Sequence, residues 1–259
     1  MHIDFTKYQG TGNDFVIVDQ RKMDGELNNK LIQKICARRF GVGADGLILI
    51  MPHDDFNFEM RYFNSDGSRS FCGNGARCAV HFAHQLGYFT KNCSFLAIDG
   101  KHSAEIVEKD LVKLKMNDVH SIEENESGHF ILNTGSPHYI KFTRNLKDED
   151  IVTYGRLIRY NEIYKEEGIN VNIAEEVNKK LNMLTYERGV EDETYSCGTG
   201  ATAVALAYRE KNKLEGKIAT QIKVKGGDLE VQSNKTKDKF EDIYLIGPAK
   251  PVFNGSIDV

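Results

Sequence analysis

CGNGARC, Cys72–Cys78, sets a thiol directly before the glycine-rich opening of a helical stretch, and SCGTGATAVALA, Ser196–Ala207, does so a second time. Both share Cys-Gly-x-Gly-Ala followed by small, apolar residues. Another pair, TGNDFVIV from Thr11 and TGSPHYIK from Thr134, matches at nearly the same offset: Gly12 to Gly135 spans 123 positions and Cys72 to Cys197 spans 125. Two matches in one order and spacing indicate a chain whose first half is restated in its second.

Each half reads as a strand-dominated α+β unit. Phe15–Asp19, Gly46–Ile50, the alternating FNFEMRYF at 56–63 and arms around Glu108–Leu111 have strand patterning. LNNKLIQKICARRF places Leu31, Ile32, Ile35 and Cys36 at helical spacing and is expected to stop at Gly41 in a left-handed terminal position. EDIVTYGRLIRYN is its expected counterpart in the second half. There KLNMLTYERG reads as a strand, and QIKVK and LEVQ flank Gly226-Gly227 as a hairpin. Helices are expected over Ala76–Leu86, with Ala76, Ala79, Val80 and Ala83 on one face, and over Ala201–Tyr208.

Composition narrows the function classes. The 259 residues suffice for two domains with cores of their own, and 40% hydrophobic with 28% charged residues fits an ordered globular chain. A net charge of -4 without a Lys/Arg cluster argues against a broad phosphate-binding face, so nucleic acid is not an expected partner. MHIDFTKYQG lacks a basic-then-apolar signal, and LILIM at 47–51 falls far short of the roughly 20 residues that span a bilayer, so a cytoplasmic protein without a membrane partner is expected. Five cysteines without a CxxC pair fit neither a secreted disulfide framework nor a closed zinc site.

A helix start offers unpaired N–H donors and a dipole's positive end, which favour a thiolate and a bound carboxylate alike. Gly73, Gly75, Gly198 and Gly200 let the backbone approach such an anion. Dipole effects of roughly 0.3–2 kcal/mol move a pKa by at most about 1.5 units, so further tuning groups are needed. His138, beside the repeated turn, and Glu187, just upstream of Cys197, are the best placed. Two similar domains facing each other would put the two thiols across one cleft, where one removes a proton from carbon and the other returns one, with no metal or other cofactor.

GTGNDF at 10–15, FNSDGS at 63–68, CGNGARC at 72–78, GINVN at 168–172, YERG at 186–189 and CGTGATA at 197–203 together resemble the diaminopimelate epimerase family, across nearly the whole chain. The resemblance implies a pyridoxal-independent epimerase that interconverts L,L- and meso-2,6-diaminopimelate in lysine and peptidoglycan-precursor synthesis, as a homodimer. It implies two pseudo-symmetric domains, 1–117 with 249–259 and 118–248, each a mixed, mostly antiparallel sheet curved around a central helix, with the active site in the cleft between them. By resemblance Cys72 is proton donor and Cys197 acceptor for the L,L substrate, exchanging roles in reverse. Asn13, Asn64, Ser136, Asn170, Glu187 and Arg188 fall where that family holds substrate, and Gly73-Asn74 and Gly198-Thr199 where helix starts grip the reacting carboxylate. Ser136 stands where the family commonly has Asn, and Gly46 where many members have Gln.

Competing readings are weaker. GVGADG at 41–46 spells a dinucleotide-binding pattern but follows a helix and precedes a strand, the reverse of the required order. GTGATA at 198–203 fits a loose version without the βαβ context. Cys78, His81 and His84 lack a fourth partner for a closed metal site, and no metal is expected. Cys36, Cys78 and Cys93 read as small buried residues, and NKTKDKFED at 234–242 as a solvated loop. The alternatives in function are another cofactor-independent amino-acid racemase of the same superfamily, a dithiol redox protein cycling Cys72 and Cys197 through a disulfide, and a binding module that kept the fold without the chemistry.

Overall fold

VIV in the first TGNDFVIV segment and LILI after Gly46 carry no polar alternation, because their strands are buried on both faces. In the computed structural model, which describes every residue except Asp24 and Asp238, these are β2 and β3 of the first of two compact units. That unit comprises Met1–Leu114 and Gly247–Val259, and the second comprises Lys115–Ile246.

The first unit begins with β1 (His2–Gly10), β2 (Asn13–Asp19), α1 (Asn29–Cys36), β3 (Gly46–Met51) and β4 (Phe58–Asn64). It continues with α2 (Gly73–Gln85), β5 (Asn92–Ala97), β6 (Gly100–Glu108) and β7 (Leu111–Lys115). Consecutive strands pair, antiparallel except for β2 with β3 and β4 with β5, where a helix makes the crossover. Val16, Val18, Leu47 and Leu49 pack against Ile32 and Ile35 of α1. Phe15 and Ile48 turn to the other face, toward Gly75 of α2. Each such fully buried Ile, Leu or Phe contributes about 1.5–3 kcal/mol, so the central strands are the cheapest place to anchor a site.

The second unit repeats the plan. β8 (Glu123–Glu124), β9 (Phe130–Asn133), β10 (Pro137–Thr143), α3 (Ile151–Arg159), β11 (Asn170–Val177) and β12 (Lys180–Glu187) come first. β13 (Asp192–Glu193), α4 (Gly198–Lys211), β14 (Gly216–Val224), β15 (Gly227–Lys235) and β16 (Phe240–Pro248) follow. β10–β11 and β12–β14 are its parallel pairs, and β9–β10, β11–β12, β14–β15 and β15–β16 are antiparallel, in the same sequence as before. α3 covers Tyr139, Val171, Ile173 and Tyr186, and comes so close that a Cβ on Gly155 would lie 2.4 Å from Tyr186 Cγ. β17 (Lys250–Asp258) then pairs antiparallel with β1, returning the chain's end to the first unit.

Three expectations shift. The helices after the cysteines begin at Gly73 and Gly198 rather than Ala76 and Ala201, so each cysteine is itself the cap. α1 ends at Cys36, and Gly41 is not left-handed. Instead the 41–44 loop folds back so that N–H groups of Val42, Gly43 and Ala44 satisfy the carbonyls of Ile35 and Cys36. A Cβ at Gly41 would meet Lys34 O at 2.0 Å, so close approach demands the glycine. Of the run at 234–242, Asn234 and Lys235 end β15 and Phe240, Glu241 and Asp242 begin β16, with Lys235 paired to Phe240, so strand replaces loop at both ends. Its Asp238 lies outside the described residues.

Candidate active site

Cys72 caps α2 from an extended backbone, φ -131° and ψ 115°, and Cys197 caps α4 at -121° and 113°. In each case the sulfur accepts the N–H of the third residue on, Gly75 at 3.5 Å and Gly200 at 3.4 Å, the position an oxygen takes in an ordinary N-cap. Two thiols therefore occupy the positive ends of the two central helices, a setting that favours thiolate. The other cysteines do not share it. Burial pushes Cys36 up to about 11 and Cys78 and Cys93 up to about 12, which leaves them inert at neutral pH.

Around Cys72 the partners come from the TGNDF turn. Asn13 Oδ1 lies 3.6 Å from Cys72 Sγ and accepts from Asn74 Nδ2 at 3.3 Å. Asn13 Nδ2 donates to Asp45 at 2.6 Å, so its carbonyl is the end turned to the thiol, which donates to it. Asp45 is held by Arg38 at 2.7 Å, and Arg38 and Lys7 together hold Asp14. Burial raises the Asp14 pKa, but hydrogen bonds from Arg38 and Lys7 outweigh it and bring it to about 2. Asn64 ends β4, and its side chain holds the FNSDGS turn through Ser68 at 2.9 Å and Ser70 at 3.3 Å. Gly46 has no room for a larger residue, since its Cβ would meet Tyr62 Cε2 at 2.4 Å.

Around Cys197 the turn of the second repeat plays the same part. Thr199 Oγ1 is 3.4 Å from Cys197 Sγ and 2.9 Å from His138 Nε2. Thr134, in that turn, donates to Thr199 O at 2.8 Å. Asn170 joins Ser136 and Arg188: its amide nitrogen donates to Ser136 Oγ at 2.8 Å and its oxygen accepts the Arg188 N–H at 2.9 Å. The Arg188 guanidinium donates to two neutral acceptors, Glu167 O at 2.7 Å and Ser136 Oγ at 3.5 Å. Glu187, half-buried at the end of β12, pairs with Asp192. His138 is fully buried, and desolvation, with the Arg188 charge second, brings its pKa down to about 3. It is neutral throughout the working range and tunes its neighbours by hydrogen bonding rather than by charge.

A stability signature follows from that burial. Unfolded His138 takes up a proton near its ordinary value of 6.5 and the folded one only near 3, so the unfolded state binds more protons between those values. Stability is therefore full above about pH 6.5 and falls as pH drops toward 3. Denaturant titrations of His138→Gln should show a flatter acid limb than wild type, and an unchanged slope would refute the neutral burial.

Residue patterning left several participants unmarked. Arg77 is fully buried in α2; its Nη2 donates to Asn74 Oδ1 at 2.9 Å and to Thr11 Oγ1 at 3.4 Å. Its Nε and Nη1 are buried without a hydrogen-bond partner among the described residues. Asp45, Asn172 and Thr185 were likewise missed, although GINVN already alternates polar Asn with apolar residues in a buried strand. His81, by contrast, is no metal ligand: both ring nitrogens are engaged, with Tyr8 at 3.0 Å and Lys109 O at 2.9 Å. The 41–46 loop lies at the end of α1 and offers no helix start to a phosphate.

A family model described as diaminopimelate epimerase matches residues 5–122 and again 130–252. The diaminopimelate epimerase of Flavobacterium psychrophilum is 46% identical over 97% of this chain and 98% of its own length. That of Chlorobaculum tepidum is 40% identical over 96% and 98%. The chain belongs to the diaminopimelate epimerase family. Its family fold recurs at much lower identity in solved structures. A phenazine biosynthesis protein of the PhzF family from Bacillus anthracis superposes with a TM-score of 0.77 at 14% identity, covering all of both chains. A hydroxyproline epimerase from Agrobacterium vitis superposes at 0.70 and 12%, covering 99% and 92%. At such identities the likeness is one of fold alone. Among the described residues no helix is long and apolar enough to cross a membrane.

Proposed function

We propose that the protein is a cofactor-independent epimerase that interconverts L,L- and meso-2,6-diaminopimelate, with Cys197 removing the α-hydrogen of the L,L isomer and Cys72 delivering a proton to the opposite face. The observation that carries this is the pair of cysteine N-caps, each sulfur on the N–H of the third helical residue. A base and an acid of one residue type, in repeated settings, suit a reaction whose forward and reverse directions exchange their roles. The hydrogen bonds differ as the L,L direction requires. Both sulfurs accept a backbone N–H, but Cys72 also donates to the Asn13 carbonyl, which suits a thiol, whereas Cys197 faces the Thr199 hydroxyl, which suits a thiolate. The N–H groups of the two helix starts, at Gly73-Asn74 and Gly198-Thr199, suit the reacting carboxylate. Arg188, whose guanidinium meets the neutral Glu167 O and Ser136 Oγ, suits the distal carboxylate as a planar fork, with Asn64, Ser136, Asn170 and Glu187 around the substrate. In this reading the enzyme serves lysine and peptidoglycan-precursor synthesis as a cytoplasmic homodimer.

The test is α-hydrogen exchange in heavy water, followed by nuclear magnetic resonance on L,L-diaminopimelate. Early product should carry deuterium at the inverted centre while remaining substrate stays unlabelled, because each thiol holds a single exchangeable hydrogen. Substrate hydrogen retained in product would indicate one base swinging between faces. No exchange with diaminopimelate, but exchange with another amino acid, would reassign the substrate, and thiol oxidation without any exchange would favour a redox protein.

A further inference from the structure

We infer that Asn172 and Thr185 are positioning residues for Cys197: they fix His138 in the tautomer protonated on Nε2, and so turn the Thr199 hydroxyl proton toward the cysteine sulfur. The inference rests on the proposed role of Cys197. Asn172 and His138 are fully buried and Thr185 nearly so, leaving bulk water no part in their hydrogen bonding. Asn172 and Thr185 face each other directly in the β11–β12 pairing.

The chain of donors has one consistent direction. Tyr139 O can only accept, so the Asn172 side-chain atom 3.3 Å from it is the amide nitrogen. The Asn172 oxygen then takes the Thr185 hydroxyl at 3.0 Å, so that both ends of the amide are held. The same amide nitrogen lies 3.1 Å from His138 Nδ1, which must therefore be the accepting nitrogen. A neutral imidazole that accepts on Nδ1 carries its proton on Nε2 and donates it to Thr199 Oγ1 at 2.9 Å. With the ring donating to it, the Thr199 hydroxyl keeps its own hydrogen to give, and a Cys197 thiolate 3.4 Å away can only accept it. As a thiolate the sulfur thus receives two donors, Thr199 O–H and Gly200 N–H, both positioned before any substrate arrives. The arrangement also accounts for Gly200, where a Cβ would lie 2.7 Å from Asn172 Oδ1 and 3.3 Å from Cys197 Sγ.

The experiment combines ring-nitrogen spectroscopy with peptide-resolved alkylation of the full chain. In protein labelled with 15N-histidine, His138 should show Nε2 protonated and Nδ1 bare at neutral pH. Asn172→Leu should mix the tautomers and slow iodoacetamide alkylation of Cys197 at fixed pH by about tenfold, the worth of one hydrogen bond to a charged group, while Cys72 reacts as before. Thr199→Val should slow alkylation equally without disturbing the tautomer, and Thr199→Ser should restore it. For the epimerisation, kcat should fall with KM little changed in Asn172→Leu, an outcome that a general loosening of the fold would not give. A wild-type spectrum with the proton on Nδ1, or wild-type alkylation of Cys197 in Asn172→Leu, overturns the inference. If Asn172→Leu fails to fold, the wild-type spectrum and the Thr199 pair still decide it. Lack of turnover by wild-type protein would defeat the epimerase reading but leave the tautomer and alkylation results standing.

Discussion

Cys197→Ala should lose both inversion and α-hydrogen exchange of L,L-diaminopimelate, whereas Cys72→Ala should lose inversion but keep slow exchange with retention. In the proposed mechanism Cys197, the sulfur that faces a hydroxyl, is the base for the L,L substrate, so without it no base remains on that side. Cys72 donates to the Asn13 carbonyl and is set to supply a proton, so its removal leaves a carbanion that Cys197 alone can reprotonate, from the side it came. The drop in kcat for inversion should be at least on the order of 10³-fold in each variant, within the range for loss of a positioned acid or base. Starting from the meso isomer at its inverted centre, the two variants should exchange phenotypes. Measured by deuterium uptake and chiral separation of product, near-wild-type epimerisation by either variant would sink the two-thiol mechanism.

Arg77→Met should separate stability from activity. The guanidinium is fully buried, and its Nε and Nη1 lack hydrogen-bond partners among the described residues, so burial holds its pKa below the usual arginine range. Methionine fills much of the same volume without a charge, which removes the desolvation cost of the buried guanidinium. A melting temperature equal to or above wild type is therefore expected. Activity should move the other way, because Nη2 holds the Asn74 carbonyl and Asn74 in turn holds Asn13 beside Cys72. A shift of that pair by about an ångström costs on the order of 10²-fold in rate. If the variant melted several degrees lower, Arg77 would be a structural asset rather than a cost borne by the site.

Much of the site could be read along the chain because it sits where local rules are strict. A cysteine before Gly-x-Gly at a helix start needs no tertiary contact to be noticed, and the repeated TGN and TGS turns mark the loops that meet those cysteines. Asn13 and His138, each just inside such a turn, were legible for the same reason and do contact their unit's cysteine or its neighbour. Asn64 is the opposite case: its side-chain hydrogen bonds go to its own turn, a local use that FNSDGS does not announce.

The sequence by itself determined the duplication, the alternation of strands with two helices per half, and the two capping thiols, since all are set by short-range periodicity and glycine placement. Register decided the rest. His138 sits beside Asn170 in the parallel β10–β11 pairing, and Asn172 meets Thr185 only because β11 and β12 pair antiparallel. Residues 13 to 61 positions apart thereby come to share one line of hydrogen bonds ending at Cys197. Arg77 escaped notice for a related reason: an arginine one turn into a helix reads as exposed, and only the packing of α2 against β1 to β4 buries it. Strand order and helix docking are long-range choices, made by the fit of whole faces, and a one-residue slip in β11 would have turned both of its asparagines to the α3 side.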